Sequence, residues 1–173
     1  HQKADLGISK LSRTLARSQM VRFSIPYLTL DHALLLNRLA FARMAGGKSV
    51  QQVIRDFNGT IGVIAKSSFD DFAAINFPKA EIRTYSSWPE VINAVSSGEI
   101  MSAYRDEFEI KQTLKKNPNF SLKLRSITLK DVESTVGIAV GISDLTLLAF
   151  INQLLEQRSN KLDIKKLLEY KDN

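Results

Sequence analysis

The chain contains no cysteine, which excludes a disulfide, a thiolate nucleophile and any zinc site built on sulfur. That absence is compatible with either side of a membrane. No stretch approaches the roughly 18 consecutive apolar residues of a spanning helix, and His1-Gln2-Lys3 is not the start of a signal peptide. Histidine is scarce as well. Only His32 is internal, and no Ser-His-Asp arrangement, metal cluster or phosphate loop assembles around it, so a structural role is expected. There is no block of one charge: 24 Lys and Arg against 18 Asp and Glu give a net charge of +6 scattered along 173 residues. Such a scatter reads as a solvated surface and argues against nucleic acid as a partner.

What is present suffices for a folded domain, since 44% of the residues are hydrophobic. From residue 49 helical and extended patterns alternate, which argues for a parallel α/β sheet. Ser49 can cap a helix carrying Val50, Val53, Ile54 and Phe57, and Asn58-Gly59 stops it. Residues 61–65 read as a short buried strand, and Ser67 or Ser68 can cap the helix that ends at Phe77-Pro78. A strand over 82–85 precedes Ser87-Trp88-Pro89, a helix start with proline in the first turn, closed by Ser97-Gly98. The strand over 101–104 delivers Asp106 just past its carboxyl end. A helix over 107–116, an extended return over 122–129, a strand over 136–140 and a helix from 145 to 155 complete the reading.

Residues 37–44 stay open between an extended strand and a helical insertion. In the terminal segment Lys161, Lys165, Lys166 and Lys171 alternate with Leu162, Ile164, Leu167 and Leu168. Packing that stripe against the protein's own core is favoured over a membrane surface.

Polar residues arrive in three instalments: Ser12-Arg13-Thr14-Leu15-Ala16-Arg17, then Ser67-Ser68 opening a helix, then Asp106 ending a strand. A guanidinium such as Arg17 can hold a carboxylate through paired charge-assisted hydrogen bonds, and a helix start adds donors to an anion. Asp106 offers the opposite charge, suited to an ammonium group. Ligands of open parallel sheets collect at the carboxyl ends of strands, where Ser67, Ser68 and Asp106 are expected. Each also has a plainer use: Arg17 as a surface cation beside Arg13 and Arg22, both serines and Asp106 as helix caps.

Ala4-Asp5-Leu6-Gly7-Ile8-Ser9, Ser12-x-Thr14-x-x-Arg17 and Phe23-Ser24-x-Pro26-Tyr27 follow one another as they do in family 3 extracellular solute-binding proteins, which the chain resembles to its end. The resemblance implies the type II periplasmic-binding-protein fold, two α/β lobes joined by hinge strands with a ligand clamped between them. It assigns 1–26 and 137–173 to a first lobe, 27–31 and 132–136 to hinge segments, and 32–131 to a complete second lobe. The first lobe is expected to lack its opening strand, helix and strand, so the chain looks like a fragment, prone to self-association and poor as a receptor.

The resemblance further implies that Ser12, Arg17, Ser67 and Ser68 contact a ligand carboxylate and that Asp106 takes the α-amino group. Ala65-Lys66-Ser67-Ser68 departs from the Gly-Thr pair frequent in the family, which puts Lys66 at the cleft mouth. Residues 37–39 and Tyr104-Arg105-Asp106-Glu107 are similar to binding domains attached to membrane transporters. The implied function is capture of a polar amino acid or related small carboxylate for membrane transport, in the periplasm or another extracytoplasmic space. Its partner is a transporter subunit or fused transporter domain; no catalytic residue, cofactor or metal is implied. A ligand-sensing domain of a membrane signalling protein and a dehydratase-like enzyme on the same scaffold are the alternatives.

Overall fold

Side-chain caps and glycines set the element boundaries of this chain. The computed structural model describes residues 4–158 and Leu168; the amphipathic segment read around residues 161–171 therefore lies, Leu168 apart, outside the described residues. In chain order the elements are β1 (Leu6–Gly7), α1 (Leu15–Ser18), β2 (Val21–Phe23), β3 (Leu28–Asn37), α2 (Arg38–Ala45), α3 (Val50–Arg55), β4 (Thr60–Ile64) and α4 (Ser68–Asn76). They continue with β5 (Glu81–Tyr85), α5 (Trp88–Ser97), β6 (Ser102–Asp106), α6 (Glu107–Lys116), α7 (Phe120–Lys123), β7 (Leu124–Val136), β8 (Ala139–Gly141) and α8 (Leu145–Glu156).

Ser49 opens α3 with a reciprocal capping box with Gln52, and Gly98 closes α5 in the left-handed region at φ 84°. Backbone contacts divide the chain into two units, one from the chain up to Leu30 with the chain from Val132 onward, the other from Asp31 to Asp131.

The first unit holds a three-stranded antiparallel sheet in the order β1-β8-β2. Arg22 faces Val140 and Leu6 faces the same residue from the other side. Ile138, Val140 and Ile151 of α8 form its core, with Tyr27, Leu147, Leu148 and Leu155 packed around them. The strand expected over 136–140 is split. Val136 ends β7, and the Ile138 amide donates to Ser24 Oγ while its carbonyl accepts from Ser24 N. Those bonds occupy groups that an unbroken ladder would use.

The second unit is a five-stranded sheet in the order β5-β4-β6-β3-β7. β5, β4 and β6 run parallel, whereas β3 is antiparallel to β6, so the expected parallel sheet is in fact mixed. Period-two alternation sorts its core onto two faces. Leu34, Leu36, Ile61, Val63 and Tyr104 lie under α3 and α4 with Phe41, Val53, Phe69 and Phe77. Ala33, Leu35 and Ala103 lie under α5 and α6 with Val91, Val95 and Ile110.

Residues 37–44 resolve to a helix because Asn37 caps α2, accepting from the Ala40 amide at 3.1 Å while its own amide donates to Val95 O at 2.9 Å. The return expected over 122–129 begins instead as the last residues of α7 and becomes β7 at Leu124.

At Gly62, in the middle of β4, the packing is so close that a Cβ would stand 2.4 Å from Cδ1 of Ile100, just after α5, and 3.1 Å from Cγ1 of Val91 on α5. Overpacking of this kind costs about 1–3 kcal/mol, and we expect Gly62→Ala to lose that much in urea denaturation. Ile100→Val deletes the clashing methyl at a cost of about 0.5–1.5 kcal/mol on its own. The double variant should therefore be clearly less destabilised than the sum of the two; strict additivity would show that the Ile100 methyl is not what Gly62 makes room for.

Candidate functional site

In the first unit the motif around Ser12 folds back on itself. Thr14 caps α1 by accepting from the Arg17 amide at 3.3 Å, and Arg17 Nη1 donates to the Ser12 carbonyl at 3.0 Å. Ser12 is buried and bridged to Val136, and Arg17 is half-buried. Arg13, one turn earlier, is exposed and lays its methylenes where a side chain at Gly137 would be. The structure thus distinguishes the two arginines: one is held by hydrogen bonding beside Ser12, the other covers a glycine.

In the second unit the parallel pairing of Ile61 with Ser102 and Gly62 with Ala103 brings the carboxyl ends of β4 and β6 to one edge. Ser67, Ser68 and Asp106 leave the sheet there. Ser67 stands at the cap position of α4 yet makes no side-chain cap bond, and its Oγ is buried without a partner among the described residues. Asp70, in the first turn, reaches back outside the helix instead, its Oδ2 accepting from the Lys66 amide at 3.1 Å. Lys66 stands at φ 58°, a left-handed conformation with a steric cost for a residue bearing a Cβ. Lys66 itself is exposed.

Asp106 is 2% exposed. Its Oδ1 accepts from the Glu109 amide at 3.1 Å, capping α6, and its Oδ2 lies 3.8 Å from Arg105 Nε. The Arg105 guanidinium sits over the Trp88 ring at 5.1 Å. Trp88 in turn donates from Nε1 to Thr113 Oγ1 at 2.9 Å, in keeping with a packed helix start.

His32 is part of the packed core, as a structural role requires. The register sets it directly opposite Asp106, at 1% exposure, with ring centroids of Phe69 and Phe72 at 4.8 and 5.0 Å. Asn76 Nδ2 donates to Tyr104 Oη at 2.9 Å. The tyrosine hydroxyl is thereby free to donate to His32 Nδ1, with which it pairs closely. The ring's own proton then sits on Nε2, a buried atom without a partner among the described residues. Burial pulls the imidazole pKa down from 6.5 to about 4, against the opposing charges of Asp106 and Asp31, and burial raises that of Tyr104 above its ordinary value. The signal that would have found this network is the alternation of β3, which puts His32 on the face of Leu34 and Leu36. Among the described residues no three metal-ligating side chains converge.

The fold is the type II periplasmic-binding-protein fold. A substrate-binding protein of an amino-acid transporter from Streptococcus pneumoniae, bound to L-arginine, superposes with a TM-score of 0.73 at 21% identity, over 96% of this chain and 67% of that one. A putative binding component of a transporter from Wolinella succinogenes, complexed with lysine, gives 0.73 at 22% identity, over 90% and 64%. An ancestral amino-acid-binding protein described as a precursor of cyclohexadienyl dehydratase gives 0.70 at 23% identity, over 98% and 68%. This chain thus spans about two thirds of the solved proteins it matches. No protein-family model and no curated protein matches the sequence.

His32 makes folding sensitive to acid. Its pKa is lower in the folded than in the unfolded chain, so the stability it contributes is complete above about pH 6.5 and is lost as pH falls towards about 4. At 1.36 kcal/mol per unit the loss approaches about 3 kcal/mol. Denaturation at pH 7.5 and 4.5 should show it, and His32→Asn, which preserves a bond to Tyr104, should remove most of that difference. An unchanged pH slope in the variant would assign the acid sensitivity to other groups.

Proposed function

We propose that this chain is an extracytoplasmic solute-binding domain that captures a polar amino acid or related small carboxylate for membrane transport. The observation that carries the reading is the unpartnered, buried Ser67 Oγ at the start of α4, on the same sheet edge as Asp106. A buried hydroxyl left without a bond costs about 1–3 kcal/mol. A ligand carboxylate at the helix start relieves that cost and gains from the helix dipole, while Asp106 suits the ligand's ammonium group.

In this reading Ser12 and Arg17 complete the carboxylate site from a first lobe formed by 1–26 and 137–173, across hinge segments 27–31 and 132–136, and Ser67, Ser68 and Asp106 belong to the second lobe, 32–131. The division of backbone contacts at Leu30/Asp31 and Asp131/Val132 supports that partition. The partner is a transporter subunit or a transporter domain on the same polypeptide. Exposed Ile8, Leu15 and Met20 of the first unit support self-association of the chain as given.

The domain is proposed to be a receptor and not an enzyme. A dehydratase reading draws support from the ancestral precursor protein, but an acid or base must reach its substrate. His32 is enclosed by Phe69, Phe72 and Tyr104.

Because the similar solved proteins hold L-arginine and lysine, a calorimetric ligand panel begins with these two. In the full-length protein Arg17→Ala should weaken binding by about 2–5 kcal/mol and Arg13→Ala by about 0–1; equal small losses would remove Arg17 from the site.

Asp106→Asn keeps a side chain that caps helices well, so α6 should stay folded while the negative charge is lost. Amino acids should then lose their advantage over their deaminated analogues. A ranking that survives the substitution would remove Asp106 from the ammonium site.

A further inference from the structure

β3 carries the chain away from the proposed amino-acid site. His32 faces Asp106, but Leu36 faces Ser102 at the opposite end of β6, about 13 Å along the strand. At that far end a cavity of about 360 Å³ lies between β3, α2, the start of α3 and β7. Its size falls in the range of about 300–1,000 Å³ typical of small-molecule sites. Leu36 and Phe41, both almost fully buried, line its floor with Ala45 and Val50.

Three cations, Arg38, Lys48 and Arg125, also line it, and no carboxylate does. Two of the three are positioned by the backbone. Arg38 Nε donates to both Ser121 O and Leu124 O at 3.0 Å, which fixes the guanidinium plane and leaves its terminal nitrogens unbonded among the described residues. Lys48 follows Gly46 and Gly47, at φ 52° and 87°, and its amide donates to Ala45 O at 2.8 Å. Asp56, whose carboxylate senses Lys48, is already paired with Lys79 at 2.8 Å. An apolar floor beneath a cationic rim selects a molecule with an apolar body and an acidic head, because guanidinium and ammonium groups favour carboxylate and phosphate oxygens.

We infer that this cavity is a second ligand site, for a small amphiphilic anion: one carboxylate or phosphate head on a short aliphatic or aromatic body. The site is independent of the proposed amino-acid site and shares no residue with it.

Titration of the 173-residue chain with octanoate and octyl phosphate, followed by amide chemical shifts and calorimetry, tests the inference. At least one of the two should saturate, with shifts centred on Arg38, Ala45, Lys48 and Arg125, and the tighter of them identifies the head group. Octanol and inorganic phosphate, each carrying half of the required chemistry, should bind at least tenfold more weakly. Lys48→Gln and Arg125→Gln are exposed changes that should keep the thermal melt and together weaken octanoate or octyl phosphate at least tenfold. Ala42→Phe, which fills the cavity, should abolish binding.

Octanol binding as tightly as octanoate, unsaturable shifts scattered over the surface, or full affinity in the double variant would each overturn the site. Asp106→Asn should leave octanoate and octyl phosphate binding unchanged, so the amino-acid reading and this one fail separately.

Discussion

One buried hydroxyl, that of Tyr104, ties together the second unit. It accepts from Asn76 of α4 and pairs with His32 of β3 while belonging to β6, and its ring stands edge-on to Phe69 and Phe77 at 5.3 and 5.2 Å. Polar groups inside an apolar core must be bonded to avoid a penalty comparable to a lost hydrogen bond, so this trio admits only one register between β3 and β6. A slip of β3 by one residue would turn His32, Leu34 and Leu36 to the face of α5 and take the imidazole away from the Tyr104 hydroxyl. Non-directional packing alone would tolerate more alternatives.

The edge that carries the candidate site follows from that register. With Tyr104 fixed beneath α4, Asp106 must fall at the strand's last position, opposite His32, where the chain turns into α6. The carboxylate then serves a helix cap and carries a charge whose Oδ2 stands 3.8 Å from Arg105 Nε, beyond hydrogen-bond length. Arg105 is held there by the Trp88 ring. Cap and ligand contact are compatible uses of one carboxylate, because its two oxygens present about four acceptor directions.

Where chain chemistry is local, the sequence was legible. The Ser49 capping box, Pro89 within the first turn of α5, Gly98 beyond its end and Asn117 after α6 each act over three or four residues, and those boundaries match the structure closely. Residues 37–44 were ambiguous because what makes them helical is partly distant: Asn37 is anchored through Val95. The antiparallel direction of β3 and the split after Val136 likewise depend on partners far along the chain. His32 looked merely structural because its importance lies in Asn76 and Tyr104, neither predictable from its neighbours. The five proposed site residues were readable by motif and chemical type, but the state of each was not: the sequence could not say that Ser67 leaves the helix start without a side-chain cap bond while Asp70 accepts from the Lys66 amide.

The uncommitted hydroxyl of Ser67 is what would let a common helix start serve the proposed recognition. A serine that caps its own helix has spent its hydroxyl on the backbone and has little left for a ligand. Here Ser67 makes no such bond, while Asp70, three residues on, accepts from the amide of Lys66 at the left-handed turn just before the helix. The conformational cost at Lys66 and the desolvation of Ser67 Oγ are both borne by the folded core beneath, with Phe69 and Ala73 buried on the next turn of the same helix. Strain and an unsatisfied polar group at one junction, supported by dense packing one turn away, are where local sequence rules are expected to yield to function.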